Sequence, residues 1–279
     1  MSLAALRDAI DLLTTRPVLW LPGIACGILC ALFWLLWYYS GTFFAGKFAI
    51  LILLVAVFLS AMTYAGIRAE NVSAGTAAAE GASYYLRVLI PGLVIAFGIG
   101  LVFILVILTL ALIGIPSDPG LLTFLTFGVM FPSIMLGYFA DCAAMFEGKK
   151  VFESIQRSIE IVTINLFDAI VFYLVSFLLS CAVLFALAIV WTAALADRLE
   201  PLTKYNETQI AALTPDQLTA LIGPDGIWIA AACIFIAVTV LFPLLLTYKA
   251  CFFRIFSGTT LPIQQVSGEF DSKGRWYKY

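Results

Sequence analysis

The chain has 279 residues, of which 63% are hydrophobic and 11% charged, and its formal net charge is −2. Soluble domains carry about a quarter charged residues, so this composition excludes a soluble globular protein and predicts an integral membrane protein. The chain contains no histidine, which excludes histidine-based zinc and haem sites and Ser-His-Asp catalysis. It also lacks a basic patch or stripe, so nucleic acid is not an expected partner.

Residues 1–16 predict a short helix that lies at a membrane surface. Its apolar side chains recur at helical spacing, and its charged side chains fall off that face. The apolar positions are Leu3, Leu6, Ile10 and Leu13, and the charged ones are Arg7, Asp8 and Asp11.

Six apolar runs follow, and each reaches the roughly 20 residues that a helix needs to cross a hydrocarbon core. They predict an all-α, polytopic transmembrane bundle that forms a single domain over residues 1–256. A polar cytoplasmic tail is expected over residues 257–279. The spans are predicted at about 17–39, 48–67, 88–115, 121–146, 165–195 and 227–247.

Six spans place both termini on one side of the membrane, and the charge distribution indicates which side. The segments on the side of the termini hold twelve Lys and Arg residues, whereas the opposite side holds Lys47, Arg198 and Lys204. Because positive charge is retained in the cytoplasm, both termini are predicted to be cytoplasmic. The expected location is the plasma membrane.

The segment 147–165, EGKKVFESIQRSIEIVTIN, is charged and amphipathic and lies between two apolar runs. It predicts a second surface helix with one face in acyl chains and the other in water. A third such segment, 73–87, has a weaker pattern because it is mostly Ala, Gly and Ser. The apolar face comprises Phe152, Ile155, Ile159 and Val162, and the other face Lys149, Lys150, Glu153, Gln156, Arg157 and Glu160.

Charged residues within spans are the default candidates for function. The candidate ligand-binding residues, all in the cytoplasmic third, are Asp141, Tyr138, Asp168 and Lys249. In one interpretation they line a cavity open to the cytoplasm, where Asp141 binds a cation, a proton or a polar headgroup. In the other, Asp141 pairs with Lys249 to join spans four and six, and Asp168 caps the start of span five. Their position near the interface favours the structural interpretation.

Other residue types predict packing rather than chemistry. The six cysteines fall in or at the ends of apolar runs and contain no C-x-x-C pair, so they are expected to pack as small apolar side chains. Gly23 and Gly27 form a G-x-x-x-G, which permits close approach of helices. The pattern predicts no catalytic residue, no metal site and no cofactor.

Two stretches carry a family resemblance. Arg16-Pro17-Val18-Leu19-Trp20-Leu21-Pro22-Gly23 and the segment from Glu147 to Asn165 are similar to elements of an uncharacterised, largely archaeal family of prokaryotic membrane proteins. That family is related to the membrane domain of glycerophosphodiester phosphodiesterases. The resemblance implies a six-helix fold with surface helices. It implies no catalytic residues, because the phosphodiesterase activity of those relatives resides in a separate soluble domain.

Three classes of function are compatible with these features. The first is a non-catalytic membrane protein, either an accessory or scaffold subunit of a larger complex or a lipid-organising module. The second is a transporter or channel component with a cytoplasm-facing polar cavity around Asp141. The third is an intramembrane enzyme that uses carboxylates alone. Expected partners are membrane lipids and, for the first class, another membrane protein or a second copy of the chain.

Overall fold

The computed structural model describes residues 2–69, 73–114, 119–200, 206, 214–257, 268–270 and 276–278. They are almost entirely helical, and one short antiparallel pair in the tail joins β1 (Gly268–Phe270) to β2 (Trp276–Lys278). The described helices are α1 (Ser2–Thr15), α2 (Trp20–Arg68), α3 (Ala74–Ile113), α4 (Pro119–Leu125), α5 (Phe131–Gly137), α6 (Ala140–Phe146), α7 (Val151–Ile164), α8 (Leu166–Ala194), α9 (Ala196–Leu199) and α10 (Pro215–Ser257).

Within the described parts of the chain, five helical segments are long and apolar enough to cross a membrane. This agrees with the predicted class of helical membrane protein. The predicted fifth span, 165–195, corresponds closely to α8. The five segments are Pro17–Arg68, Ala74–Ile113, Thr123–Phe146, Leu166–Ala194 and Leu221–Ser257.

The first of these segments turns back on itself at Gly41. A straight helix of the length of α2, 49 residues, would extend for about 73 Å. Instead, the two ends of α2 lie side by side. A Cβ atom built on Gly66, near the C-terminus of α2, would lie 2.8 Å from Cδ2 of Leu19, the residue just before its N-terminus. Gly41 has φ +76°, a left-handed conformation that suits glycine. The connection expected over 40–47 is thus helical apart from this one residue.

The predicted surface segment 73–87 is not a separate helix, because α3 already begins at Ala74. Ser73 caps the helix: its hydroxyl accepts the Thr76 N–H at 3.3 Å, and the Thr76 hydroxyl accepts the Ser73 N–H at 3.1 Å. This reciprocal cap fixes the helix start. The alanine-rich stretch therefore forms the first turns of α3, which continues unbroken into the apolar run.

The fourth apolar run is irregular. Residues Thr126–Met130 form a π-helical turn between α4 and α5, and a two-residue break at Tyr138 and Phe139 separates α5 from α6. The π turn is followed at once by Pro132 at the start of α5. Proline removes a backbone donor and obstructs the preceding turn, which accounts for the local change in helical geometry.

Glycine brings α2 and α10 together. A Cβ atom on Gly23 would lie 2.7 Å from the carbonyl oxygen of Thr239, and one on Gly27 would lie 2.8 Å from that of Phe235. Only a residue without a side chain fits at this separation. The prediction that Gly23 and Gly27 serve helix packing is confirmed.

Most of the protein's buried side chains lie near one end of the bundle. There α1 and α7 pack across the ends of the long helices, and the core includes Tyr64, Phe139, Phe172 and Phe252. Elsewhere large apolar side chains are exposed along the helices; examples are Phe97, Leu112, Phe167 and Phe185. This distribution is expected where acyl chains rather than water surround the protein.

Candidate functional site

Asp141 and Lys249 form an ion pair within the buried end of the bundle. The ammonium nitrogen of Lys249, on α10, lies 2.7 Å from Oδ2 of Asp141, in the first turn of α6. The side chain of Lys249 is 7% exposed and that of Asp141 is 20% exposed. The prediction that these two residues pair and join the fourth apolar run to the last one is confirmed.

Two tyrosines complete the surroundings of the pair. The hydroxyl of Tyr64, which is fully buried on α2, donates to Oδ2 of Asp141 at 2.8 Å. The ammonium group of Lys249 lies 4.1 Å from the centre of the Tyr138 ring, a geometry in which the ring attracts a cation. The four side chains therefore tie together α2, the fourth apolar run and α10.

The carboxylate of Asp141 also stabilises the start of its own helix. Its Oδ1 accepts the backbone N–H of Cys142 at 2.8 Å. Negative charge is favourable in the first turn of a helix, where N–H groups lack intrahelical partners. Both carboxylate oxygens of Asp141 are thus occupied by donors of the protein itself.

The break before α6 exposes backbone groups that α7 satisfies. The hydroxyl of Ser158 accepts the N–H of Phe139 at 2.9 Å and donates to the carbonyl oxygen of Leu136 at 2.6 Å. Tyr173, on α8, donates to the carbonyl oxygen of Met135 at 2.6 Å. Because unsatisfied backbone groups are costly in a membrane, these contacts allow the break to exist. The break in turn places Tyr138 and Asp141 beside Lys249.

Three of the four candidate residues, Asp141, Tyr138 and Lys249, lie in one cluster. Asp168 lies in the first turn of α8, where negative charge is favourable; its predicted capping role stays a prediction. Sequence reasoning did not assign Tyr64 to Asp141 or Ser158 to the helix break. A signal for Tyr64 was available, because Tyr64 lies near the end of the second apolar run as Asp141 lies near the end of the fourth. Ser158 gave no comparable signal.

Arg157 corrects one expectation about α7. The sequence pattern predicts this residue on the water-facing side, but its side chain is 9% exposed. Its Nε lies 3.1 Å from both carboxylate oxygens of Glu147, and Nη1 lies 3.4 Å from a carboxylate oxygen of Glu160. Nη2 donates to the carbonyl oxygen of Ser257, the last residue of α10, at 3.0 Å. Arg157 therefore contacts the bundle, where two carboxylates and a carbonyl oxygen accommodate its charge.

Some of the apolar side chains of α7 are buried in the protein and others are exposed. Phe152 and Ile159 are exposed, whereas Val162 is buried in the core. In α1, Leu3 and Ile10 are exposed, while Leu13 packs in the core. Both short helices thus contact the protein on one side and present apolar side chains on another.

The charged groups of Asp141 and Lys249 both have partners within the protein. Asp141 accepts from an ammonium, a phenol and a backbone amide, and Lys249 is held by a carboxylate and an aromatic ring. Within the described ranges, no group of three or more Cys, Asp or Glu side chains could hold a metal ion. Three grooves among the described residues are lined largely by apolar side chains, and Asp141 does not line any of these three. The arrangement is that of a joint between helices.

Comparison with known proteins gives one result. No curated protein matches the chain, and no solved structure matches it either. The profile of one family covers residues 2–256, which is nearly the whole helical region and includes every residue of the cluster. The chain belongs to the family described as a domain of unknown function, DUF7847.

Proposed function

We propose that this protein is a non-catalytic integral membrane protein, serving as an accessory or scaffold subunit of a membrane complex or as a lipid-organising module. The observation that carries the proposal is the closed ion pair between Asp141 and Lys249. A binding or catalytic site needs a group free to meet a ligand, whereas both oxygens of this carboxylate are occupied by the protein's own donors. The cluster therefore serves to hold helices together.

The turn at Gly41 supports a six-span topology. Because the two arms of α2 lie antiparallel, the segment Pro17–Arg68 supplies two crossings, and the other four long helices supply one each. Both ends of the chain then lie on one side, together with twelve of the fifteen Lys and Arg residues. Positive charge favours the cytoplasm, so this side faces the cytoplasm of a cell bounded by the plasma membrane.

The two short helices support a role at the membrane surface. Phe152 on α7 and Leu3 on α1 are exposed, and Lys149 and Lys150 are exposed just before α7. Apolar side chains beside basic ones suit the boundary between acyl chains and anionic headgroups. This surface arrangement agrees with the proposed relationship to the membrane domain of glycerophosphodiester phosphodiesterases, which rests on residues 16–23 and 147–165.

A transporter or channel component is the second candidate. The feature that favours it is the helix break at Tyr138 and Phe139, directly beside a buried charge. Broken helices with intramembrane charges are typical of transporter binding sites. In this role the pair between Asp141 and Lys249 would have to open to admit a cation, a proton or a polar headgroup from the cytoplasm.

The test is native mass spectrometry of the protein extracted from its own membranes in a mild detergent. A stoichiometric protein partner, released when α1 or α7 is altered at Leu3 or Phe152, is the result expected of a scaffold subunit. Defined numbers of co-purifying lipids without a partner would support the lipid-organising form. A small molecule or ion that is bound by the wild-type protein and lost in D141N would overturn the proposal in favour of transport.

A further inference from the structure

Two arginines flank one tyrosine where α2 ends and α3 begins. Nη1 of Arg68 donates to the hydroxyl oxygen of Tyr84 at 3.0 Å, and the guanidinium carbon of Arg68 lies 5.7 Å from the centre of the Tyr84 ring. The guanidinium carbon of Arg87 lies 5.4 Å from the same centre. Two guanidinium groups thus lie within contact distance of the same aromatic ring.

The ion pairs found among the described residues lie elsewhere in the protein. They involve Arg157, Arg198 and Lys249, and neither Arg68 nor Arg87 takes part in them. A third cation is close by, because Arg16 donates to the carbonyl oxygen of Ala69, the residue after Arg68, at 2.6 Å. Three guanidinium groups therefore lie near this end of the helix pair, and the described acidic residue of the same stretch, Glu80, lies four residues before Tyr84 on α3.

The guanidinium groups of Arg68 and Arg87 and the hydroxyl of Tyr84 are hydrogen-bond donors that can bind a phosphate. Guanidinium groups bind phosphate oxygens through paired N–H donors, and they do so better than ammonium groups. The Tyr84 hydroxyl accepts its bond from Arg68, which leaves its own proton able to point to a further acceptor. Two guanidinium groups and one phenol offer a set of donors, and a phosphate diester supplies only acceptors.

The location suits the phosphate of a lipid. Arg68 ends the first apolar segment and Arg87 precedes the long apolar stretch of α3, so both lie at the edge of the apolar region, on the side of the termini. Basic residues at that depth meet the anionic headgroups of the inner leaflet. All three side chains are at least partly exposed and accessible to a lipid from the side.

We propose that Arg68, Tyr84 and Arg87 form a binding site for the phosphate group of an anionic phospholipid. The site adds a ligand to the protein and does not depend on whether a protein partner exists. Arg68 and Arg87 bind the phosphate oxygens, and the Tyr84 hydroxyl donates a third bond. Acyl chains of the bound lipid run along the apolar surface of α2 and α3.

The experiment titrates the full chain in mild detergent with dioleoylphosphatidylglycerol and counts bound lipid by native mass spectrometry. The variants are R68Q, R87Q, R68Q/R87Q and Y84F, each checked for an unchanged unfolding midpoint. The matched control is R198Q, which removes an arginine that is already paired with Asp225 at 2.9 Å. Dioleoylglycerol, which has the same chains without phosphate, and sodium phosphate, which has no chains, are titrated in parallel.

The expected result is tight binding of phosphatidylglycerol to wild type and R198Q. Binding should be about tenfold weaker in R68Q/R87Q, the loss expected when charge-assisted hydrogen bonds are removed. Dioleoylglycerol should bind no better to wild type than to the double variant.

If the double variant does not fold, the single arginine variants take its place, each with a smaller loss of binding. Equal binding by wild type and the arginine variants would overturn the proposal. Displacement of the lipid by an equal concentration of sodium phosphate would assign the site to free phosphate instead.

Discussion

The ammonium group of Lys249 lies 2.7 Å from a carboxylate oxygen of Asp141, although the two residues are 108 positions apart in the chain. The pair connects the last long helix to the short helix after a break in the fourth apolar run. Charges removed from water are stable only when paired and hydrogen-bonded. The hydroxyl of Tyr64 and the ring of Tyr138 supply the further contacts.

Replacing Tyr64 with Phe removes the hydroxyl that donates to Asp141. Because the carboxylate keeps Lys249 and the Cys142 amide, the expected loss of stability is moderate, about 1–3 kcal/mol. Thermal unfolding in detergent measures it. Y39F is the control, since Tyr39 is largely exposed and should unfold like wild type. An unchanged midpoint in Y64F would show that the hydrogen bond contributes nothing.

Replacing Ser158 with Ala removes the two contacts that Ser158 makes to the helix break and leaves the Tyr173 contact in place. The Phe139 N–H and the Leu136 carbonyl would lose a partner, at a cost of about 1–3 kcal/mol for a buried polar group left unpaired. Ser154 provides a matched control. It lies on the same helix and is equally buried, but its hydroxyl bonds only to the Val151 carbonyl within α7. S158A should therefore unfold at a lower temperature than S154A. Equal midpoints would contradict the role given to Ser158.

Replacing Gly23 with Ala tests the contact between α2 and α10. The new methyl group would lie 2.6 Å from Cδ of Pro243, so the helices must separate, at a cost of about 1–3 kcal/mol for overpacking. Gly98 is the control because nothing lies within 4 Å of its Cβ position. G98A should leave the unfolding midpoint unchanged or slightly raised. A stable G23A protein would mean that the two helices are not held at this distance.

The turn at Gly41 predicts which segments share a side of the membrane. In a variant whose native cysteines are replaced, single cysteines at 73 and 149 should react with a membrane-impermeant maleimide only from the cytoplasmic side. Cysteines at 42 and 206 should react only from the opposite side. Labelling of positions 42 and 73 from the same side would mean that α2 does not make two crossings.

Much of the architecture could be predicted because the membrane imposes simple rules. Apolar runs of about 20 residues predicted the long helices, and the spacing of apolar residues predicted short helices where α1 and α7 lie. The pairing of Asp141 with Lys249 was also predictable, since two opposite charges at the same membrane depth have few other ways to be neutralised. These inferences depend on composition and length, which the sequence shows directly.

Other features depend on contacts between distant segments. Arg157 was expected in water because charged residues usually are, but Glu147, Glu160 and the Ser257 carbonyl together accommodate its charge within the protein. Ser158 was unremarkable in sequence, since its importance arises only once α5 breaks before α6. The full length of α2 could not be predicted either, because a single non-helical residue, Gly41, takes the place of the loop expected over 40–47.

The most direct test of the account is a double-mutant cycle on Asp141 and Lys249, read by thermal unfolding of the purified protein in detergent. If the pair is a joint between helices, D141N and K249M each lose about 3–5 kcal/mol because the partner stays buried and unpaired. The double variant D141N/K249M should then lose clearly less than the sum of the two, with a coupling energy of about 1–3 kcal/mol. A D141N protein that unfolds at the wild-type temperature, or losses that simply add, would contradict the structural role of the pair and favour a binding site instead.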